Sequence, residues 1–286
     1  MTPPGDSSPT AALEALAVPR VDHVDLVTVK LPFVAPFGTS VHVWTDKEAM
    51  LMRLESGGVT AWSECVSDPD PFYAYETNTT ARHIINDFLL PLVEPGITIG
   101  ELEGRFSRVR GHAMAKATIE NALLILIANQ RGVALHELLD QPGKPIMSGL
   151  SIGLQETPDA LIEAVGRAVA KGYHRIKMKV RKCQDFDWVR SVRDRFPAVP
   201  LMVDANGDYT LADADRLCEL DQFHLTMIEQ PLSYSDIIEH ASLQRRMTTA
   251  LCLDESIHSL ADAAAAISIG ACRIINVKQG RVGGLL

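Results

Sequence analysis

The chain has 286 residues, 47% of them hydrophobic, and a formal net charge of −9, enough to bury a large core in one sizeable domain with or without a smaller companion. The acidic balance argues against nucleic acid or an anionic membrane as the main partner, because both reward clustered Lys and Arg. The longest apolar run, ALLILIA at 122–128, is far shorter than the ~20 residues that span a bilayer, so it reads as a buried helix segment.

The first twenty residues, MTPPGDSSPTAALEALAVPR, have neither a basic leader nor an apolar centre, so a flexible tail over 1–20 is expected rather than a signal peptide. VDHVDLVTVKL, EAMLMRLES and VTAWSEC follow as strands, with SGG as the turn between the last two. TARHIINDFLLPLV, KATIENALLILIANQRG and ALHELLD then read as helices, which makes 21–140 an α+β domain. A Pro/Gly stretch, DQPGKP, marks a boundary, and a second domain is expected over 141–286. The five cysteines (Cys65, Cys183, Cys218, Cys252 and Cys272) form no CxxC pair and sit in or near apolar runs, which predicts reduced thiols and a cytoplasmic location.

Beyond the boundary the chain alternates short apolar strands with amphipathic helices. The strands are IMSGLSIGL, RIKMKV, PLMVDAN, LTMIEQP, ALCLDES and CRIINVKQG, and the first intervening helix opens on Thr-Pro and closes on Gly. The last polar residue near each of the later strand ends is Lys179, Asp204, Glu229, Asp254 or Lys278, in steps of 25, 25, 25 and 24. One βα unit occupies about that length, so five ionisable groups are expected at one height on successive parallel strands. In a (β/α) barrel they converge on the mouth that carries the chemistry of such folds; an open doubly wound sheet would spread them along a line.

Three carboxylates on adjacent strands repel one another unless a cation joins them. Hard oxygen donors suit Mg²⁺ or Mn²⁺, and the lack of His and Cys at these positions disfavours Zn²⁺. In HRIKMKV, Lys177 and Lys179 stand two apart and therefore share one face of their strand. A free lysine titrates near about 10.4, and a general base works best near ambient pH; a neighbouring cation supplies the needed depression. A metal flanked by lysines fits removal of a proton next to a carboxylate, because the cation neutralises the charge that builds on the carboxylate oxygens.

Lysine bases paired with Mg²⁺ are already established for enolase-superfamily sites. KMK, VDAN, IEQP, LDES and NVKQGRVGG resemble the muconate-lactonizing-enzyme subgroup of that superfamily, in this order and spacing. LPFVAPFGTS, WSECVSDPDPFYAYET and GHAMAKATIENAL resemble the o-succinylbenzoate synthase / N-acylamino acid racemase family. The likeness runs from about residue 21 to residue 284.

The resemblance implies an α/β fold: a parallel (β/α) barrel of the enolase-superfamily type behind an N-terminal α+β capping domain. It implies Asp204, Glu229 and Asp254 as Mg²⁺ ligands, Lys179 as a catalytic base, and Lys278 across the substrate from it. It further implies Lys177 and Asn206 near the substrate carboxylate, Ser151 in the pocket, and Phe37 in a lid loop. The implied reaction is dehydration to o-succinylbenzoate in menaquinone biosynthesis, with N-acylamino acid (N-succinylamino acid) racemisation as the alternative. The substrate is then a small carboxylate, and a homo-oligomer is expected.

Only six barrel strands are counted before Leu286 where this kind of barrel has eight, so the barrel is expected to be truncated after the sixth. Asp68 stands where relatives carry an apolar residue facing the substrate, and Glu255 is left without a role. Two other readings remain: a Schiff-base aldolase using Lys179 or Lys278, which has no need of the carboxylates, and an inactive truncated chain.

Overall fold

A computed structural model describes residues 9–39, 43–139 and 142–286. They form two compact units. One comprises residues up to Leu31, Lys47–Pro145 and Lys278–Leu286; the other comprises Pro32–Asp46 and Ile146–Val277. The expected boundary at 140–145 begins on residues outside those described.

The first unit carries most of a three-stranded sheet in the order β1 (His23–Gly38), β2 (Val43–Ser56) and β3 (Val59–Cys65). β2 and β3 pair antiparallel through the turn at Gly57 and Gly58, both at positive φ. Their alternation puts Met50, Met52, Leu54, Ala61 and Cys65 inside, beneath the helix Ala113–Arg131, which packs on β3. That helix is apolar nearly all round, as ALLILIA predicts, and ends on Gly132 at φ 68. Glu76 caps its start from a distant loop, accepting from the amides of Met114 and Ala115 at 2.9 and 3.2 Å.

One expectation here needs correction, and one helix was not read from the sequence. The tail expected over 1–20 folds from Pro9 onward: Pro9–Glu14 is helical, Leu13 and Val18 are buried, and Val18 exchanges backbone hydrogen bonds with Gly96 and Ile97. The Ser and Gly content belongs to the first eight residues, while Leu13, Leu16 and Val18 supply an apolar edge that burial rewards. A helix over Ile99–Phe106 also escaped the sequence reading, although Thr98 and Glu101 form a reciprocal capping box at its start.

The second unit holds a six-stranded parallel sheet in chain order, β4 (Gly149–Ile152), β5 (Arg175–Lys179), β6 (Leu201–Asp204), β7 (Met227–Glu229), β8 (Leu251–Leu253) and β9 (Ile274–Ile275). The first helix of this unit starts where the sequence marks it, with Thr157 capping Pro158–Ala170, and Ser259 caps Leu260–Ile269. Period-two alternation sends Ile176, Met178, Val203, Ile228, Leu251 and Leu253 to the helix side, where they pack with Leu161, Val165, Val189 and Val192. Each such side chain contributes about 1.5–3 kcal/mol. The opposite face buries the smaller cluster of Met202, Met227 and Cys252, with Ile274 against it.

Candidate active site

The face that carries Met202, Met227 and Cys252 also carries, two residues further along each strand, Asp204, Glu229 and Asp254. The same alternation gives β5 its Lys177 and Lys179, and gives β4 Ser151, paired in register with Lys177. Lys179 pairs with Asp204, and Asp204 with Glu229, as equal spacing predicts. Beyond β7 the register steps: Glu229 pairs with Cys252 and Leu253 with Ile275, so Asp254 stands two positions above Glu229. Equal sequence spacing therefore misjudged the height of Asp254, because helix and loop lengths differ between units while strand stagger is set by the sheet.

Asp204, Glu229 and Asp254 are 2%, 1% and 1% exposed, and Lys179 is 8%. Lys179 Nζ donates to Asp204 Oδ2 and to Asn206 Oδ1, each at 2.6 Å. Lys177 Nζ lies 2.9 Å from both Glu229 oxygens and 3.0 Å from Asp204 Oδ2, so its ammonium bridges the two carboxylates. Burial alone would lower the Lys177 pKa, but Asp204 and Glu229 outweigh it and hold the side chain above the usual lysine range. Lys177 is thus a charged clamp on the carboxylates rather than a bare cation facing Lys179.

The carboxylates are driven apart in the opposite sense. Burial, then the charges of Asp204 and Asp254, push Glu229 above the usual carboxylate range despite Lys177. Asp204 is desolvated too, yet Lys179 and Lys177 hold it low. Repulsion within a buried, all-oxygen donor set on three strand ends is chemistry that suits a hard divalent cation. Among the described residues, no three His, Cys, Asp or Glu side chains already stand as a ligating group; the Lys177 ammonium lies between Asp204 and Glu229.

Asn206 is at φ 46, its main-chain N–H donates to Asp204 Oδ1 at 3.1 Å, and its side-chain Nδ2 donates to Glu255 Oε1 at 2.8 Å. Glu255, unassigned from sequence, therefore steadies the amide that accepts from Lys179. Gly207 follows at φ 76, where a Cβ would lie 3.2 Å from the Leu232 carbonyl oxygen, so the turn requires glycine. Asn276 was also missed: it donates to Glu229 Oε1 at 3.1 Å, and its place two residues before Lys278 was the available signal. Ser151, Lys177, Met202, Glu229, Cys252 and Asn276 line a cavity of about 280 Å³.

Phe37 is at the end of β1 rather than in a loop, half-buried against Gly153, and Leu154 donates to the Gly38 carbonyl at 2.8 Å. Backbone pairing beyond the reach of sequence pattern extends that strand. Lys278 groups with the first unit, where its ammonium donates to the Tyr73 hydroxyl and lies 4.7 Å from that ring's centroid. In the same unit Asp68 is ion-paired with Lys47 at 2.8 Å. All five cysteines are free thiols, and no helix among the described residues is long and apolar enough to cross a membrane.

Residues 23–140 match the mandelate racemase / muconate lactonizing enzyme N-terminal domain, and 160–286 match the enolase C-terminal domain-like family. Over 269 residues the chain is 47% identical to an o-succinylbenzoate synthase of Geobacillus stearothermophilus, covering 93% of this chain and 72% of that one. It is 41% identical to an N-succinylamino acid racemase of Amycolatopsis, with 93% and 73% covered. A solved structure of an enolase-superfamily member from Listeria innocua superposes with a TM-score of 0.88 at 37% identity, covering 94% of this chain and 73% of that one. With buried carboxylates and lysines on the strand ends of a parallel sheet and both domains matched, the chain belongs to the mandelate racemase / muconate lactonizing enzyme family of the enolase superfamily.

Proposed function

We propose that the chain catalyses removal of a proton α to a carboxylate through an enediolate, in the dehydration that yields o-succinylbenzoate. The observation that carries this reading is the contact of Lys179 Nζ with Asp204 and Asn206, beside Glu229 and the Lys177 clamp. It is supported by the synthase relatives at 47% and 46% identity. Asp204, Glu229 and Asp254 would hold one Mg²⁺, or Mn²⁺, which supplies positive charge to the substrate carboxylate as electron density builds there.

In this reading Lys179 takes the α-proton on its side-chain nitrogen and later returns a proton to the departing hydroxyl, which leaves as water. Asn206 orients its nitrogen, and Glu255 keeps the Asn206 amide in place. Lys177 and Ser151 face the cavity in which the small carboxylate would lie. Lys278, fixed by Tyr73, acts as a cation toward the enolate in the dehydration or as the opposite acid in a racemisation. Phe37 serves as a cover.

The fold reading that goes with it is closure of the parallel sheet into a (β/α) barrel, supported by the register steps from β7 to β9. A homo-oligomer acting in the cytoplasm on a soluble acid, apart from nucleic acid or membrane, completes the reading.

A second reading, N-succinylamino acid racemase, is favoured by the 41% identical Amycolatopsis relative. Incubation with Mg²⁺ and either the cyclohexadiene precursor of o-succinylbenzoate or an N-succinylamino acid in D₂O separates the two. Dehydration without deuterium entry into the amino acid excludes racemisation; turnover that survives EDTA, or borohydride trapping of substrate on lysine, overturns both.

A further inference from the structure

Gln230 follows Glu229 directly, is 0% exposed, and holds φ 37, a left-handed conformation that a non-glycine residue adopts only when its surroundings impose it. Its side-chain oxygen accepts from the amides of Asp254 and Ser256 at 3.0 and 3.3 Å. Its side-chain nitrogen donates to Ser256 Oγ at 2.6 Å, to the Ser233 carbonyl at 2.9 Å and to the Leu232 carbonyl at 3.4 Å. On the main chain, Gln230 N donates to the Cys252 carbonyl and Gly207 N donates to the Gln230 carbonyl, both at 2.8 Å. One buried residue therefore touches the backbone just beyond Asp204, beside Glu229, and on both sides of Asp254. Both capacities of its amide are used, an arrangement that a purely space-filling side chain does not need.

We infer that Gln230 is a positioning residue for the cation site: by fixing the backbone at Asp254 and Ser256 while its main chain joins the turn after β6 to β8, it sets the directions of the three carboxylates. The inference rests on the proposed cation role of Asp204, Glu229 and Asp254. It concerns Gln230 itself, which would touch neither the ion nor the substrate. Partners that orient metal ligands in this way typically change metal affinity by about 10–100-fold when removed.

Gln244 offers a matched control. It is also buried, at 5%, and it accepts from Leu251 N at 2.7 Å and donates to the Thr249 carbonyl at 3.1 Å, at the opposite end of β8 from Asp254. Mg²⁺ alone is titrated calorimetrically into the full chain after EDTA treatment, for wild type, Gln230→Met, Gln244→Met and Ser256→Ala. The expected result is a Kd weakened about 10–100-fold in Gln230→Met, an intermediate loss in Ser256→Ala, and an unchanged Kd in Gln244→Met even as its melting temperature falls. If Gln230→Met does not fold, Ser256→Ala must still bind Mg²⁺ more weakly than Gln244→Met. Wild-type affinity in Gln230→Met, or equal losses in both glutamine variants, overturns the inference and leaves the cation site standing. A wild-type chain that takes up no Mg²⁺ removes the cation site and this inference together.

Discussion

Replacing Lys177 with Met tests the electrostatics of the site most directly. The ammonium lies within 3.0 Å of Asp204 and Glu229, both nearly fully buried, and Lys177 itself is 19% exposed. Breaking a buried ion pair by deleting one partner costs about 3–5 kcal/mol, because the other charge stays behind in low dielectric. The residual exposure of Lys177 puts the expected loss at the lower end, about 3 kcal/mol in EDTA at pH 7.5. At roughly 2–4 °C per kcal/mol for a chain of this size, the melting temperature should fall by about 6–12 °C.

The loss should depend on pH in a defined direction. Glu229 already titrates above its unfolded value; without Lys177 it does so at still higher pH, so the folded state holds a proton that the unfolded state has lost. Stability then falls as pH rises through that window, making the deficit against wild type larger at pH 8 than at pH 5, where the lost Lys177–Asp204 pair still contributes. Lys177 in the wild type has its folded pKa raised, so its contribution is present below the ordinary lysine range and is lost only as pH climbs through the folded value. Saturating Mg²⁺ should stabilise the variant more than the wild type, since the ammonium no longer competes for the same carboxylates. Circular dichroism melts in EDTA and in Mg²⁺ at both pH values read all of this. A variant as stable as wild type in EDTA at pH 8 would refute the reasoning.

Three further outcomes are expected. Lys179→Ala should reduce turnover and α-proton exchange by at least about 10²–10⁴-fold, read by deuterium incorporation, while circular dichroism stays native. Glu103, pushed up to about 7 by burial first and the nearby Glu120 charge second, binds its proton more tightly when folded. Its contribution is therefore greatest at low pH and declines from its unfolded value to about 7, so Glu103→Gln should gain about 1–3 kcal/mol over wild type at pH 8 and little at pH 5, by urea unfolding. Glu76→Gln replaces one of the two acceptor oxygens serving the amides of Met114 and Ala115 with a donor and should cost about 1–2 kcal/mol in the same assay, an effect of the lost hydrogen bond, since burial raises the Glu76 pKa above the usual carboxylate range.

Much of the site was legible because it is written in local pattern. Alternation placed Lys177 and Lys179 on one face, and Lys179, Asp204, Glu229 and Asp254 at constant spacing marked successive strand ends before any pairing was known, whereas Lys278 lies three residues past the end of β9 and groups with the first unit. Turn chemistry gave the helix start at Thr157, where the competing conformations differ within a few residues. What pattern could not supply was anything fixed by pairing between distant segments. The register step that lifts Asp254 above Glu229, the extension of β1 to Phe37 and Gly38, and the burial of Leu13 all depend on partners far along the chain.

Polar function divides in the same way. Sequence alone marked Asp204, Glu229, Asp254, Lys179 and Lys278, because ionisable groups at apolar strand ends are costly enough to need a reason. Only the tertiary structure showed which cation meets which carboxylate, that Lys177 clamps Asp204 and Glu229, and that Asn276, Glu255 and Gln230 support them. These three are ordinary polar residues whose meaning lies in which buried hydrogen-bonding groups they reach, and that reach is set by strand stagger and loop path rather than by any repeat in the sequence.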